Sequence, residues 1–267
     1  MPQQPDLRTV GEATYRYLPE RGEYEVNRPE QPPGFIHLDY AAPESPEGSP
    51  AIAAVEGPGV ELPSPELSPV CRTSGNRIVL VYAHRPWDTT ATPETTLRSI
   101  VRRMNWKIAD QASQSSEGKR VTRLAVDCDS GGQIRVHDVA TANNNFATID
   151  AKVREQLYGS PFAETAVKYL VFDHSANEEN PNVAGLGEVV DELRDDHFNG
   201  NATNTKTAVV YVGSWGSHVT IHELVHTLGA AQGLLSPKAP NSTAGHHCSD
   251  GLDLLCYEDG TAGGSNY

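Results

Sequence analysis

The chain has 267 residues, of which 37% are hydrophobic and 21% charged, enough apolar material for one sizeable core or two small ones. Its formal net charge is −14, which argues against nucleic acid or an anionic membrane surface as a partner, because such binding depends on Lys and Arg neutralising phosphates. No window approaches the ~20 consecutive apolar residues of a membrane span, and residues 1–20 lack the apolar core of a signal peptide. The composition therefore predicts a soluble globular protein, and it does not indicate how many subunits assemble.

Residues 1–70 form a stretch rich in proline. Of the 19 prolines in the chain, 13 precede Cys71, and acidic residues outnumber basic ones in the same stretch. The stretch shows no sustained apolar period of either kind, so we expect an extended and largely disordered arm. A pro-segment, a linker and a wall-spanning stalk all fit this pattern. Residues 71–267 are then expected to form the folded domain.

From residue 77 onward, strand patterns alternate with helical ones. Apolar strand patterns cover residues 77–83, 121–126, 133–139, 167–172 and 208–212. One helix is expected to begin near Thr92 and Pro93, with an apolar stripe made of Leu97, Ile100, Val101, Met104, Ile108 and Ala112. A weaker helical pattern covers residues 149–157. This order predicts the α/β (α+β) class, with a mixed sheet and helices packed on it.

Residues 177–207 form a polar, Asn-rich segment between two of these strands. Within it, residues 183–193 are expected to be partly helical, and Gly185-Leu-Gly187 to lie in a loop. Four acids follow at Asp191, Glu192, Asp195 and Asp196. A solvated face is the expected role of these acids, and a calcium site is the alternative.

Four cysteines, Cys71, Cys128, Cys248 and Cys256, occur without any C-x-x-C spacing. This spacing does not favour a zinc site made of four cysteines, whereas two disulfides, Cys71 with Cys128 and Cys248 with Cys256, fit an even count. Disulfides form in oxidising compartments, so we expect an exported, extracellular protein. Four reduced, buried thiols in a cytosolic protein are the alternative.

The strongest chemical signal is the H-E-x-x-H pattern of His222-Glu223-Leu-Val-His226. Residues four apart lie on one face of a helix, so both imidazoles can bind one Zn²⁺, and Glu223 can reach a metal-bound water as general base. Gly229 follows at the point where such a helix must end and turn, which favours a residue that tolerates positive φ. The pattern predicts a zinc helix at residues 217–229.

The segment from His222 to Gly229 resembles the motif of the metzincin zinc metalloproteases. Asp253-Leu-Leu-Cys-Tyr257 resembles the Met-turn of that clan and its following tyrosine, with Leu255 in place of methionine. More closely, residues 77–257 resemble secreted bacterial reprolysin-like proteins whose motif ends in Gln. The resemblance implies a metzincin-like twisted mixed sheet with a zinc helix beneath it, peptide-bond hydrolysis, and Tyr257 as a catalytic residue that assists at the carbonyl oxygen. A packed tyrosine ring is the alternative role for Tyr257.

The third zinc ligand does not follow directly from the motif. Gln232 stands at the family's third-ligand position, but an amide oxygen is a poor zinc ligand compared with imidazole. His247 lies on a glycine-preceded loop beside Cys248, and we prefer it to Gln232. His246 and Asp250 are the remaining candidates.

These residues predict a secreted zinc endopeptidase that acts on peptide or protein substrates. His222, His226 and His247 would hold one Zn²⁺, Glu223 would act as base, and Tyr257 would assist. The rival hypothesis is a non-catalytic binding or adhesion module of the same fold, motivated by Gln232 and by the end of the sequence at Tyr267. That end is also consistent with a catalytic domain truncated at its C-terminus.

Overall fold

A computed structural model describes residues 7–10, 13–18, 23–27, 34–40, 68–115, 122–158, 166–175, 183–189, 201 and 204–229. These residues form eleven strands and three helices. The strands are β1 (Leu7–Val10), β2 (Ala13–Leu18), β3 (Glu23–Asn27), β4 (Gly34–Tyr40), β5 (Val70–Arg72), β6 (Ile78–His84), β7 (Ala125–Asp127), β8 (Val136–Ala140), β9 (Lys168–Asp173), β10 (Val183–Val189) and β11 (Lys206–Tyr211). The helices are α1 (Glu94–Ser115), α2 (Phe146–Tyr158) and α3 (Ser217–Thr227).

All the strands belong to one mixed sheet. Their order is β1, β2, β3, β4, β10, β11, β9, β6, β7, β5, and β8 also pairs with β6. Pairing is antiparallel from β1 to β11 and parallel from β11 to β5. The predicted α/β class with a mixed sheet and packed helices is therefore confirmed.

Helices cover both faces of the sheet. Successive side chains of a strand point to opposite faces, and β6 is apolar on both. Val79 and Val81 belong to the core cluster that contains α2, whereas Leu80 and Tyr82 belong to the cluster that contains α1 and α3. The apolar stripe predicted for α1 accordingly packs on the same face of the sheet as α3.

The expectation for residues 183–193 is wrong where the structure describes them, because residues 183–189 form strand β10 rather than a helix or loop. All seven of its residues are buried. β10 pairs antiparallel with β11 on one side and with β4 on the other. Glycine is depleted in strands and occurs there mainly where close packing requires it. Its presence in β10 therefore weakens the strand pattern of the sequence.

The N-terminal stretch also differs from its expected extended arm at residues 7–10, 13–18, 23–27 and 34–40. Strands β1 to β4 form an antiparallel meander that continues the sheet from β10 outward. Their segments are four to seven residues long, and only that of β3, Glu-Tyr-Glu-Val-Asn, alternates apolar and polar residues throughout. Strands this short, separated by prolines and glycines, give a weak periodic signal.

The predicted disulfide between Cys71 and Cys128 is present, with their Cα atoms 5.4 Å apart. It joins β5 to the residue that follows β7. Cys248 and Cys256, the second predicted pair, lie outside the described residues. Among the described helices, none combines the length and the apolar character needed to cross a membrane.

Candidate metal centre

Helix α3 carries the H-E-x-x-H pattern, as the sequence predicts. It follows β11, and its N-cap Gly216 has extended backbone. At the other end, Gly229 adopts a φ of +86° and donates its N–H to the carbonyl of His226 at 2.9 Å. A side chain at Gly229 would also come within 2.8 Å of the Asn201 amide. Positive φ and this close approach together explain why glycine ends the helix.

The two histidines of α3 converge on one point. Their Nε2 atoms lie 3.1 Å apart and their ring centroids 4.8 Å apart, with the ring planes at 77°. Two imidazole nitrogens bound to one tetrahedral Zn²⁺ at ~2.0–2.1 Å would lie about 3.3 Å apart. The arrangement of His222 and His226 therefore fits a shared metal ion.

Glu223 lies between the two histidines in sequence and packs against β10. A Cβ added to Gly185 would lie 2.6 Å from both Cγ and Cδ of Glu223. A Cβ added to Gly187 would lie 2.7 Å from the carbonyl oxygen of Glu223 and from Cβ of His226. These two glycines, one strand period apart, allow α3 to approach the backbone of β10 closely.

Sequence reasoning missed Gly185 and Gly187 as part of the site. It treated them as loop residues because no strand pattern preceded them. The available signal was the spacing itself: two glycines at i and i+2 in Val-Ala-Gly-Leu-Gly-Glu-Val place two missing side chains on one face of a strand. Leu186 lies on the opposite face of β10 and belongs to the core cluster that contains α2.

The centre is enclosed in the full chain. Glu223 and His226 have 0% of their surface exposed, and His222 has 5%. Ionisable groups are rarely fully buried unless other groups or a metal satisfy them. Burial and convergence thus distinguish these three residues from incidental surface histidines and acids.

The other candidate site residues are not placed by the structure. His247, Gln232, Tyr257, His246 and Asp250 all lie outside the described residues. The same holds for the acids at 191–196, the alternative calcium site. Within the part of the chain that is described, no group of three or more His, Cys, Asp or Glu side chains is arranged to hold a metal ion. The identity of the third ligand thus stays a prediction.

Comparison with known proteins does not assign the chain to a family. No protein-family model matches the chain, and no curated protein matches it. The assignment of a function therefore depends on the sequence pattern and on the geometry of α3 and β10.

Proposed function

We propose that this protein is a zinc-dependent endopeptidase of the metzincin type, acting outside the cell. The observation that carries the proposal is the 3.1 Å approach of the Nε2 atoms of His222 and His226, with Glu223 on the same buried helix. A mixed sheet with this helix packed on it agrees with the fold that the metzincin resemblance implies. The disulfide between Cys71 and Cys128 supports an oxidising compartment.

In this proposal, His222 and His226 hold the metal, together with a third ligand for which His247 is preferred over Gln232. Zn²⁺, when bound, supplies Lewis-acid polarisation of a carbonyl and lowers the pKa of a water molecule to about 7. The Glu223 carboxylate takes the proton of the attacking water and delivers it to the leaving amine nitrogen. Tyr257 is proposed to donate a hydrogen bond to the carbonyl oxygen as negative charge develops there.

In this proposal, strand β10 positions the Glu223 carboxylate through its contacts with α3. Because Gly185 and Gly187 admit α3 so closely, the backbone of β10 fixes the position of the Glu223 carboxylate relative to the two imidazoles. A general base must lie within hydrogen-bond reach of the proton that it abstracts. The glycines of β10 are therefore positioning residues in this proposal.

Replacing Glu223 by Gln tests the chemistry without removing a metal ligand. We expect Glu223→Gln to keep zinc and to lose about 10²- to 10⁴-fold in kcat for an unstructured protein substrate, because the amide cannot accept the proton. Zinc content by elemental analysis and cleavage by gel assay measure both effects.

Glu155→Gln is the matched control, because Glu155 lies on the exposed surface of α2 and pairs there with Lys152. It should cleave at the parent rate. Full cleavage by Glu223→Gln would remove Glu223 from the mechanism. Cleavage by the parent that a chelator leaves unchanged would favour the non-catalytic binding module with a contaminating protease.

A further inference from the structure

The end of helix α3 packs against a residue that precedes β11 in the chain. Strand β11 leads into α3, and the helix packs on β10 and β11. A Cβ added to Gly229, just beyond the helix, would lie 2.8 Å from Nδ2 and 2.9 Å from Cγ of Asn201. The side-chain amide of Asn201 is therefore in direct contact with the residue at which α3 ends.

Lys168, the first residue of β9, binds the backbone of this segment. Its Nζ donates hydrogen bonds to the carbonyl oxygens of Asn201 and Asn204, each at 2.6 Å. Lys168 is 4% exposed and Asn201 is 1% exposed. A buried carbonyl group that lacks a hydrogen-bond partner costs free energy, and Nζ satisfies two of them here. A side chain of the sheet thus fixes the backbone position of Asn201.

Lys168 lies on the face of the sheet that carries α3. Side chains two positions apart on a strand share a face, so Lys168 shares its face with Leu170. Leu170 belongs to the core cluster that contains Ile221 and Leu224 of α3. The Lys168 side chain therefore reaches the backbone of Asn201 on the side of the sheet on which the helix ends.

The two hydrogen bonds of Lys168 are possible in both of its protonation states. Burial and the positive charges of Lys206 and Arg154 lower the pKa of Lys168 to about 7, although the carboxylate of Glu188 acts in the opposite direction. An ammonium group has three N–H donors and a neutral amine has two. Either form can therefore donate to both carbonyl oxygens, and the contact persists across neutral pH.

The position of Gly229 bears on the metal centre in two ways. Its N–H donates to the carbonyl of His226, so a shift of Gly229 moves the last turn of α3. Every candidate for the third ligand follows Gly229 in the chain, so the direction in which the chain leaves the helix decides where that ligand lies. Residues that orient metal ligands typically change metal affinity by about 10- to 100-fold when they are replaced.

We propose that Lys168 is a positioning residue of the metal centre, which acts through Asn201 to fix Gly229, the last turn of α3 and the exit of the chain toward the third ligand. The proposal rests on the proposed function for the identity of the bound ion, Zn²⁺. The link from Lys168 to Gly229 itself requires no metal, so it has a readout of its own.

Zinc affinity tests whether Lys168 and Asn201 act through one link. Lys168→Met removes the N–H donors and keeps an apolar side chain, and Asn201→Ala removes the amide that contacts Gly229. We expect each variant of the full chain to bind Zn²⁺ about tenfold more weakly than the parent, measured by competition with a chromophoric chelator. The double variant should also lose about tenfold, because both changes break the same link; a loss of about a hundredfold, as from two independent effects, overturns the proposal.

Asn105→Ala is the matched control for a loss of stability alone. Asn105 is buried in α1, and its Oδ1 accepts a hydrogen bond from the N–H of Leu124 at 2.7 Å. This control also loses a buried hydrogen bond to the backbone, but its zinc affinity should equal that of the parent. An unchanged affinity in Lys168→Met, or an equal loss in Asn105→Ala, overturns the proposal. Lys168→Gln, whose amide ends one atom short of Nζ, replaces Lys168→Met if that variant does not fold.

Amide hydrogen exchange in metal-free protein tests the link without zinc. The N–H of Gly229 is bonded to the carbonyl of His226, so its exchange reports the opening of the last turn of α3. We expect this N–H to exchange at least about tenfold faster in Lys168→Met than in Asn105→Ala. This difference in a protein whose parent binds no zinc would contradict the proposed function and support the link. Equal exchange in the two variants overturns the link, whatever the zinc content of the parent.

Discussion

Gly187 lies on β10 where the strand packs closely against the backbone of α3. A Cβ there would lie 2.7 Å from the carbonyl oxygen of Glu223 and from Cβ of His226. Neither neighbour is the far end of a flexible side chain, so the helix or the strand must move. We expect Gly187→Ala to lower the free energy of unfolding by about 1–3 kcal/mol, measured by urea denaturation.

Gly216→Ser is the matched control for that substitution. Gly216 is the N-cap of α3, and a Cβ there meets no atom within 4 Å. Serine is a favourable N-cap residue, so the free energy of unfolding should stay within about 0.5 kcal/mol of the parent or rise. Equal stability of Gly187→Ala and the parent would contradict the close packing of β10 on α3.

Asp173 is a second residue whose environment makes a measurable prediction. It ends β9 and is 1% exposed, and its Oδ1 accepts a hydrogen bond from the N–H of Ser175 at 2.7 Å. Its other carboxylate oxygen is buried without a hydrogen-bond partner among the described residues. Burial raises the pKa of Asp173 to about 7, although the Ser175 hydrogen bond and the positive charge of Arg85 act in the opposite direction.

Because the pKa of Asp173 is higher in the folded state than its usual value of 3.8, the folded state binds more protons between pH 4 and 7. Its contribution to stability is therefore present at low pH and is lost as pH rises through this window. Asp173→Asn removes the buried charge. We expect the free energy of unfolding of Asp173→Asn, minus that of the parent, to increase by at least about 1 kcal/mol from pH 4 to pH 8.

Denaturation curves of the parent and Asp173→Asn at several pH values measure this difference. Glu155→Gln, on the exposed surface of α2, serves as the control and should follow the parent at every pH. A constant difference between Asp173→Asn and the parent across the range would show that the carboxyl group of Asp173 has an ordinary pKa in the folded state.

At the scale of elements, α3 was predictable from the sequence and β10 was not. The pattern of α3 is local: two histidines four apart, apolar residues at helical spacing and a glycine at the end all lie within residues 217–229. The two glycines of β10 reflect packing against a helix that begins 28 residues beyond its last residue. No local propensity carries that information, and glycine lowers the apparent strand preference.

Strands β1 to β4 illustrate a related limit. Each is short, and each is stable only because the neighbouring strand supplies its hydrogen bonds. The pairing of β4 with β10 joins residues about 150 positions apart, which no periodicity reveals. In contrast, β6, β9 and β11 are buried on both faces, and their continuous apolar runs made them predictable from the sequence.

The disulfide between Cys71 and Cys128 lies at the edge of the sheet that is far from the candidate metal centre. It closes a loop with a sequence separation of 57 residues and holds β5 against β7. We expect the double substitution Cys71→Ala and Cys128→Ala to lower the free energy of unfolding by about 2–4 kcal/mol in non-reducing buffer, because the unfolded chain gains freedom.

Guanidinium denaturation of the double variant and the parent measures this loss. Mass spectrometry of a non-reduced digest of the parent should show the peptides of Cys71 and Cys128 linked. Unlinked peptides in protein isolated under oxidising conditions, or an unchanged unfolding midpoint in the variant, would contradict a stabilising role for this bond.

Across the whole molecule, the candidate centre lies where the two kinds of pairing meet. Parallel strands from β11 to β5 carry the larger share of the apolar core, and antiparallel strands from β10 to β1 extend outward. Helix α3 packs beneath β10 and β11, at the junction. The sequence predicted which residues form α3, and their zinc chemistry stays a prediction. It could not place them against β10, because that depends on packing between parts of the chain that are distant in sequence.

The central claim is that His222 and His226 bind zinc, and zinc content tests it most directly. The full chain is dialysed against metal-free buffer and its zinc measured by elemental analysis, beside the double variant His222→Ala and His226→Ala. His137→Ala is the control, because His137 pairs with Asp127 on the sheet. We predict about one zinc per chain in the parent and in His137→Ala, and none in the double variant. A parent without zinc, or a double variant that keeps it, would contradict the account.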